Sequence, residues 1–307
     1  MKKIHLEYSN IPVGLPSIEF FINKIENNEN YQFLRTNHAI FDLIYTAYNI
    51  NNVFQLTEFK SDLESKDYRK ISEKVYKFSD KEYNNSWSIY HKGSSELINK
   101  FEIYLRVFNE YKDISNVIDI GVSLGVGLNQ YWGVFAKENP IQTARTQIFN
   151  IFYEKSKYEY YYSGVLKYFS VTDDIFKLFD SINKNDYNVI FVGRDYMRLY
   201  KEKFKINNFY HINIPNAGAI DFVDDYVDEI KDICKSKKTI VFYSIGHVLT
   251  FYMAQQLITE NIIGIDIGRS FDMLLRENLD TEPSLPECWI TLNKEELKAH
   301  INRVQNG

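Results

Sequence analysis

Four short stretches place polar side chains directly beside apolar runs, and these are where the chain can do chemistry. Gly193-Arg194-Asp195 follows the run Asn188–Val192, Ser244-Ile245-Gly246-His247 closes Lys238–Ser244, and Asp266-Ile267-Gly268-Arg269 closes Ile262–Ile267. Pro215-Asn216-Ala217 lies between the first and second of them. A strand-glycine-helix turn such as Ser244 to His247 aims backbone N–H groups and a helix N-terminus at an anion, and a phosphate suits it; the same Gly246 also serves a plain tight turn. Asp266 at a strand end can accept from a ribose or sugar hydroxyl, or cap the next helix. Arg194 and Arg269 offer positive charge, and His247 and Asp195 can move protons. A fifth stretch, Arg35-Thr36-Asn37-His38, adds one more arginine and one more histidine.

The elements that must position these residues follow from the patterning. The three runs are rich in Val, Ile, Phe and Tyr, carry few charges and alternate with helix-like segments. That is the grammar of parallel strands covered by helices on both faces, in which ligands bind at the carboxyl ends of the strands. The fold class expected is therefore α/β, a Rossmann-like and mostly parallel sheet. Towards the N-terminus, apolar spacing predicts a helix from Pro16, an extended Tyr31–Thr36, a helix Ala39–Tyr48 and a helix Ser94–Lys112. Residues 51–112 read as a mainly helical insertion in one domain spanning 1–307. Val117–Ile120 reads as a short strand before a glycine-rich loop, with a helix from Leu128 to before Pro140. The segment from Thr143 starts helical and runs into the aromatic cluster Tyr158 to Tyr162; further helices are expected at Asp173–Ile182, Val248–Ile258 and Lys294–Val304.

Composition narrows the partners. The 307 residues carry a formal net charge of −5, with basic residues dispersed rather than gathered in a tract, which argues against nucleic acid as the main partner. Cys234 and Cys288 are too few and too far apart for a metal knuckle or a disulfide framework. The N-terminus meets Glu7 before an apolar signal core develops, and no run approaches the length of a membrane span. A cytoplasmic protein is expected, with peripheral membrane contact neither indicated nor excluded.

The order and spacing of these motifs resemble the carboxyl-terminal core of the GT-D glycosyltransferases. Ser244-Ile245-Gly246-His247-Val248-Leu249 with its helix, then Gly264-Ile265-Asp266-Ile267-Gly268, are similar to that family's turn, helix and strand end. Upstream, Val189–Gly193 and Ile212-Asn213-Ile214-Pro215-Asn216-Ala217 are similar to its glycine-terminated strand and its Pro-x-x-Asn-Ala loop. The resemblance covers about a third of the chain. It implies a nucleotide-sugar donor and a glycan, lipid-linked or glycoprotein acceptor, as in polysaccharide biosynthesis. Gly193, Arg194, Asn216, Ser244, Gly246, Asp266, Gly268 and Arg269 would then line the donor site.

The family's Arg-Phe-Gly-Asp-Gly-Glu signature has its best local match in Arg35-Thr36-Asn37-His38-Ala39-Ile40. The arginine is kept, but His38 and Ile40 stand in place of the two carboxylates. Hard divalent cations prefer oxygen ligands, so the usual metal dependence is not expected, and cationic side chains can stabilise the leaving diphosphate instead. Arg35, Arg194 and Arg269 are candidates for that task; His247, His38 or Asp195 are candidates for activating the acceptor. Two alternatives stay open. One is a non-catalytic nucleotide-sugar-binding or scaffolding relative. The other is an S-adenosylmethionine-dependent methyltransferase, because Asp119-Ile120-Gly121 to Gly127 superficially resembles that family's glycine loop.

Overall fold

Among the described residues nine strands form one continuous sheet, and every pairing in it but one is parallel. In chain order they are β1 (Lys3–His5), β2 (Pro12–Gly14), β3 (Tyr31–Thr36), β4 (Ile118–Val122), β5 (Glu159–Tyr162), β6 (Asn188–Gly193), β7 (Phe209–Asn213), β8 (Thr239–Tyr243) and β9 (Ile262–Asp266). Their spatial order is β1-β2-β5-β4-β3-β9-β8-β6-β7, and the exception is the antiparallel edge pair β1/β2. The computed structural model describes residues 3–5, 12–36, 38–48, 56–81, 94–110, 117–122, 147–152, 158–235, 237–260 and 262–278, with 295, 298, 299 and 302.

The helices α1 (Ile18–Glu26), α6 (Val165–Val171) and α7 (Asp174–Lys184) pack together on one face. On the other lie α2 (His38–Ala47), α3 (Leu56–Glu64), α4 (Tyr68–Lys81), α5 (Glu96–Asn109), α8 (Val223–Cys234) and α9 (His247–Gln256). Crossovers towards β7 use the first face and crossovers towards β1 use the second, as right-handed βαβ connections require. Among the described residues no helix is long and apolar enough to cross a membrane.

Burial explains the sequence of the central elements. β6, β8 and β9 are buried at every position, as strands covered on both faces must be. Residues 247–254 of α9 are all buried, because this helix is wedged between β3 and α5 and has no solvent side. The aromatic excess is core material: Phe179 stacks on Phe204 with ring centroids 3.8 Å apart, within a cluster that includes Phe191, Phe242 and Phe271.

Several elements differ from the sequence expectation. The tyrosines at 160–162 form β5, fully buried between β4 and β2, where tyrosine's β propensity outweighs the helical start of that segment. Helix α1 begins at Ile18 with Ser17 as its N-cap residue, rather than at Pro16. Phe209–Asn213 is an edge strand that carries no strong apolar run, because its pleat is only partly covered. The helix expected over 128–140 lies outside the described residues, as does most of the one over 294–304.

Candidate active site

The eight mutually parallel strands described, β2 to β9, bring their carboxyl ends to one edge of the sheet. At the centre of that edge β3 and β9 are neighbours, with Phe33 opposite Ile265. Just beyond that pair, two residues on along β3 and one along β9, Arg35 and Asp266 meet: Arg35 Nε donates to Asp266 Oδ1 at 3.1 Å. The carboxylate is buried and the guanidinium nearly so.

Gly268 is what makes room for this pair. Its N–H donates to Asp266 Oδ1 at 3.0 Å, and its φ of +47° lies in the left-handed region. A Cβ on residue 268 would come within 1.7 Å of Arg35 Nη2, so the guanidinium rests directly on the glycine backbone. Glycine is required there twice over, for conformation and for space.

His247, the first residue of α9, holds the same pair from the β8 side. Its Nδ1 lies 2.5 Å from the carbonyl oxygen of Arg35 and 3.8 Å from Asp266 Oδ2. A carbonyl only accepts, so Nδ1 carries the proton, and in the neutral ring Nε2 is the basic nitrogen. Gly246 precedes it with φ +82° and ψ 156°, a conformation open to glycine, and its carbonyl accepts from the Thr250 N–H at 3.0 Å to start the helix. The first-turn N–H groups of α9 therefore open towards the strand ends.

A second, deeper cluster lies just past β9. Asp272 is fully buried and accepts from Tyr196 Oη at 3.0 Å, Tyr200 Oη at 3.0 Å and Arg269 Nε at 2.8 Å. Burial pushes its carboxyl up from the ordinary aspartate range, against the pull of Arg269 and the two hydroxyls. Lys167, on α6, stands in the field of Arg35, Arg269 and Asp272. Burial of the amine, reinforced by the two arginines, brings it down to about 7, with Asp272 pulling the other way.

The structure thus gathers Arg35, Gly246, His247, Asp266, Gly268 and Arg269 from the residues singled out in the sequence. Ser244 extends the same edge: it is buried, and its N–H donates to Val192 O at 2.9 Å. Gly193 and Arg194 end β6, two strands from β9 and hence roughly 10 Å away by strand spacing; a Cβ at 193 would lie 2.2 Å from the Met197 sulfur. Asp195 is more than half exposed and, among the described residues, its ion pair is with Arg198 at 3.5 Å, so it is not brought to the cluster. Asn216 is exposed beyond the edge strand β7. His38 opens α2 directly after β3, and nothing further is described of it. Sequence reasoning missed Lys167, Tyr196, Tyr200 and Asp272. Asp272 had a readable signal as the i+3 partner of Arg269, and Lys167 one as the sole charge in the apolar helix Val165–Val171.

The donor set does not fit a divalent cation. Asp266 Oδ1 is taken by Arg35 and the Gly268 N–H, which leaves its buried Oδ2 as the one oxygen of the pair without a hydrogen-bond partner among the described residues; Asp272 is committed to Arg269 and two tyrosines, and two guanidinium groups flank the carboxylates. Among the described residues no three His, Cys, Asp or Glu side chains converge as a metal requires.

No protein-family model matches the chain, and no curated protein does. Among solved structures it is similar to a glycosyltransferase of domain of unknown function 1792 from Streptococcus sanguinis, at 9% identity and a TM-score of 0.49, over 87% of this chain and 85% of that one. A DUF1792 domain described as having a distinct glycosyltransferase fold aligns at 11% identity and a TM-score of 0.42, over 87% and 82% of the two chains. A selenomethionine form of DUF1792 aligns at 10% identity and a TM-score of 0.45 over the same shares. Likeness this distant leaves the function to the chain's own residues.

Proposed function

We propose that this chain is a single-domain glycosyltransferase that takes a sugar from a nucleotide-sugar donor and passes it to a glycan, lipid-linked or glycoprotein acceptor without a divalent metal. One observation supports this most: an arginine held flat over a glycine at the carboxyl ends of two adjacent central strands, where parallel sheets bind phosphorylated ligands. Asp266 holds Arg35 through Nε alone, which leaves its Nη groups to face a diphosphate. Arg269 and the first turn of α9 supply further positive potential for the charge that develops on the leaving nucleoside diphosphate.

In this reading His247 does two jobs. Through Nδ1 it positions Arg35, and through Nε2 it takes the proton of the acceptor hydroxyl. The methyltransferase alternative loses part of its motif to packing: Gly121 sits where a Cβ would be 2.8 Å from Phe33 and 3.0 Å from Ser163 Cβ, so tight contact between strands accounts for that glycine. A binding-only relative is the second reading, favoured by Asp272 being fully engaged by Arg269 and two tyrosines and by Asp266 Oδ1 being held by Arg35 and the Gly268 N–H.

Melting temperatures with nucleotide sugars, nucleoside diphosphates and S-adenosylmethionine, each with Mn²⁺ or EDTA, test the proposal, since a ligand of the folded state raises the midpoint. A rise with one nucleotide sugar that persists in EDTA and is lost in Arg35→Ala is expected. A rise with S-adenosylmethionine alone, or with no nucleotide at all, would overturn it. Binding without turnover of any acceptor favours the second reading.

A further inference from the structure

We propose that a cavity on the α7 side of the strand ends is the nucleoside subsite of the donor, holding base and ribose while the diphosphate stays with Arg35 and Arg269. The inference rests on the donor-site reading above and deepens it with residues that neither the motifs nor the family resemblance pointed to. The cavity has a volume of about 470 Å³, within the ~300–1,000 Å³ range of small-molecule sites. Three segments enclose it, all at the carboxyl side of the sheet: Asp173 with the first turn of α7, the coil Asp195–Lys203 that follows β6, and the coil Asp272–Asn278 that follows β9. Asp272 joins it to the crevice. That carboxylate accepts from Arg269 at 2.8 Å and from Tyr200 at 3.0 Å, and Tyr200 stands one turn before Lys203 in the cavity wall. Met273 follows Arg269 by four residues, about 8 Å at the rise of a 3₁₀ coil.

The lining selects the occupant. Phe176, Met273 and Leu274 give an apolar floor, with Met273 and Leu274 buried. The charges around it cancel: Lys203 pairs with Glu277, and Arg276 is matched in sign by Asp173. Asp173 and Arg276 are exposed and make no side-chain hydrogen bond or ion pair among the described residues, so one acceptor and one donor group are open to a ligand. A net-neutral lining does not select an anion, which keeps the phosphates with the arginines, and four charged groups disfavour a plain hydrocarbon chain. A nucleoside meets both conditions, being neutral, with flat apolar faces and an edge of donors and acceptors. His247 fixes which end of the donor lies here. It opens α9 on the face of the sheet opposite α7, and as the acceptor's base it marks the side from which the sugar is attacked. Sugar and nucleoside flank the diphosphate, so the nucleoside belongs on the face away from His247, where the cavity lies.

Calorimetry in EDTA compares UDP, GDP, ADP, CDP and dTDP with inorganic pyrophosphate, which carries two phosphates and no nucleoside. Wild type is expected to bind one nucleoside diphosphate about tenfold or more tighter than pyrophosphate. Phe176→Ala should weaken that nucleotide about tenfold, the worth of one base stacked on an aromatic ring, and Arg276→Ala about threefold or more. Both should leave pyrophosphate unchanged, whereas Arg35→Ala should weaken nucleotide and pyrophosphate alike. Arg276 is exposed, so its variant decides alone if Phe176→Ala fails to fold. Equal affinity for pyrophosphate and every nucleotide, a nucleotide affinity unmoved by the cavity variants, or a matching loss of pyrophosphate in them would overturn the nucleoside assignment and leave the diphosphate site standing. Affinities untouched by Arg35→Ala would overturn the donor-site reading instead, and no binding of any of these ligands by wild type would overturn both.

Discussion

Gly268→Ala offers a quantitative test of how the crevice is built. The new methyl group would overlap Arg35 Nη2, but that atom is the far end of a flexible side chain, so the guanidinium swings away rather than straining the backbone. The cost then has two parts. An alanine at φ +47° costs about 1 kcal/mol. Loss of the charge-assisted bond from Arg35 to a buried Asp266 adds about 1.5–3 kcal/mol. Gly268→Ala should therefore lower unfolding stability by about 3 kcal/mol in the wild-type background, but by only about 1 kcal/mol in Arg35→Ala, where no guanidinium remains to displace. Urea unfolding of the four proteins in this cycle gives the coupling directly. Equal costs of Gly268→Ala in both backgrounds would refute the arrangement of Arg35 over Gly268. A loss below about 0.5 kcal/mol in wild type would refute the left-handed conformation as well.

Three further outcomes are expected. Asp119 on β4 titrates at about 6, pushed up by burial against the pull of the Tyr31 hydroxyl and Lys24; the folded protein holds this proton more tightly than the unfolded chain, so its contribution is present below about pH 4 and lost as pH rises to 6. Asp119→Asn should abolish that decline, seen as wild-type minus variant unfolding stability between pH 4 and 7, and should be stabilising at pH 7. Asp272→Asn leaves Arg269 without its buried anion and should cost about 2–4 kcal/mol by urea unfolding, with a fall in nucleotide affinity because Arg269 loses its anchor. Phe179→Ala opens a cavity beside Phe204 and Phe242 and should cost about 3–5 kcal/mol, measured the same way, with donor affinity little changed.

Much of the sheet was legible because its central strands are covered on both faces, and double coverage writes uninterrupted apolar runs such as Val189–Val192 and Ile240–Tyr243. Strand ends were legible for a related reason: glycines and polar residues cluster where Ser244-Ile245-Gly246-His247 and Asp266-Ile267-Gly268-Arg269 leave the core. Pairing was not. Nothing local in Tyr31–Thr36 reveals that its neighbour is Ile262–Asp266, because that contact is made by crossovers and not by periodicity. β5 was hidden by its tyrosines, whose rings are buried while their hydroxyls read as polar. Lys167 was hidden because a lone lysine on an apolar helix usually sends its amine to solvent, and only the three-dimensional arrangement puts two arginines beside it.

The pairing of β3 with β9 also bears on how the protein comes into being. Arg35 and Asp266 are 231 residues apart in the chain, so the crevice cannot close while the ribosome is still making the second half. At about 5–20 residues per second that is a wait of at least ten seconds or so, during which the amino-terminal strand has an open edge and no partner on one side. Contacts of such long sequence separation slow folding and leave edges available to other chains. The half-made protein is thus both incomplete at its strand ends and adhesive, and a chaperone that shields Tyr31–Thr36 until Ile262–Asp266 arrives would raise the yield of native protein more than one acting on the locally wound β6–β8 half.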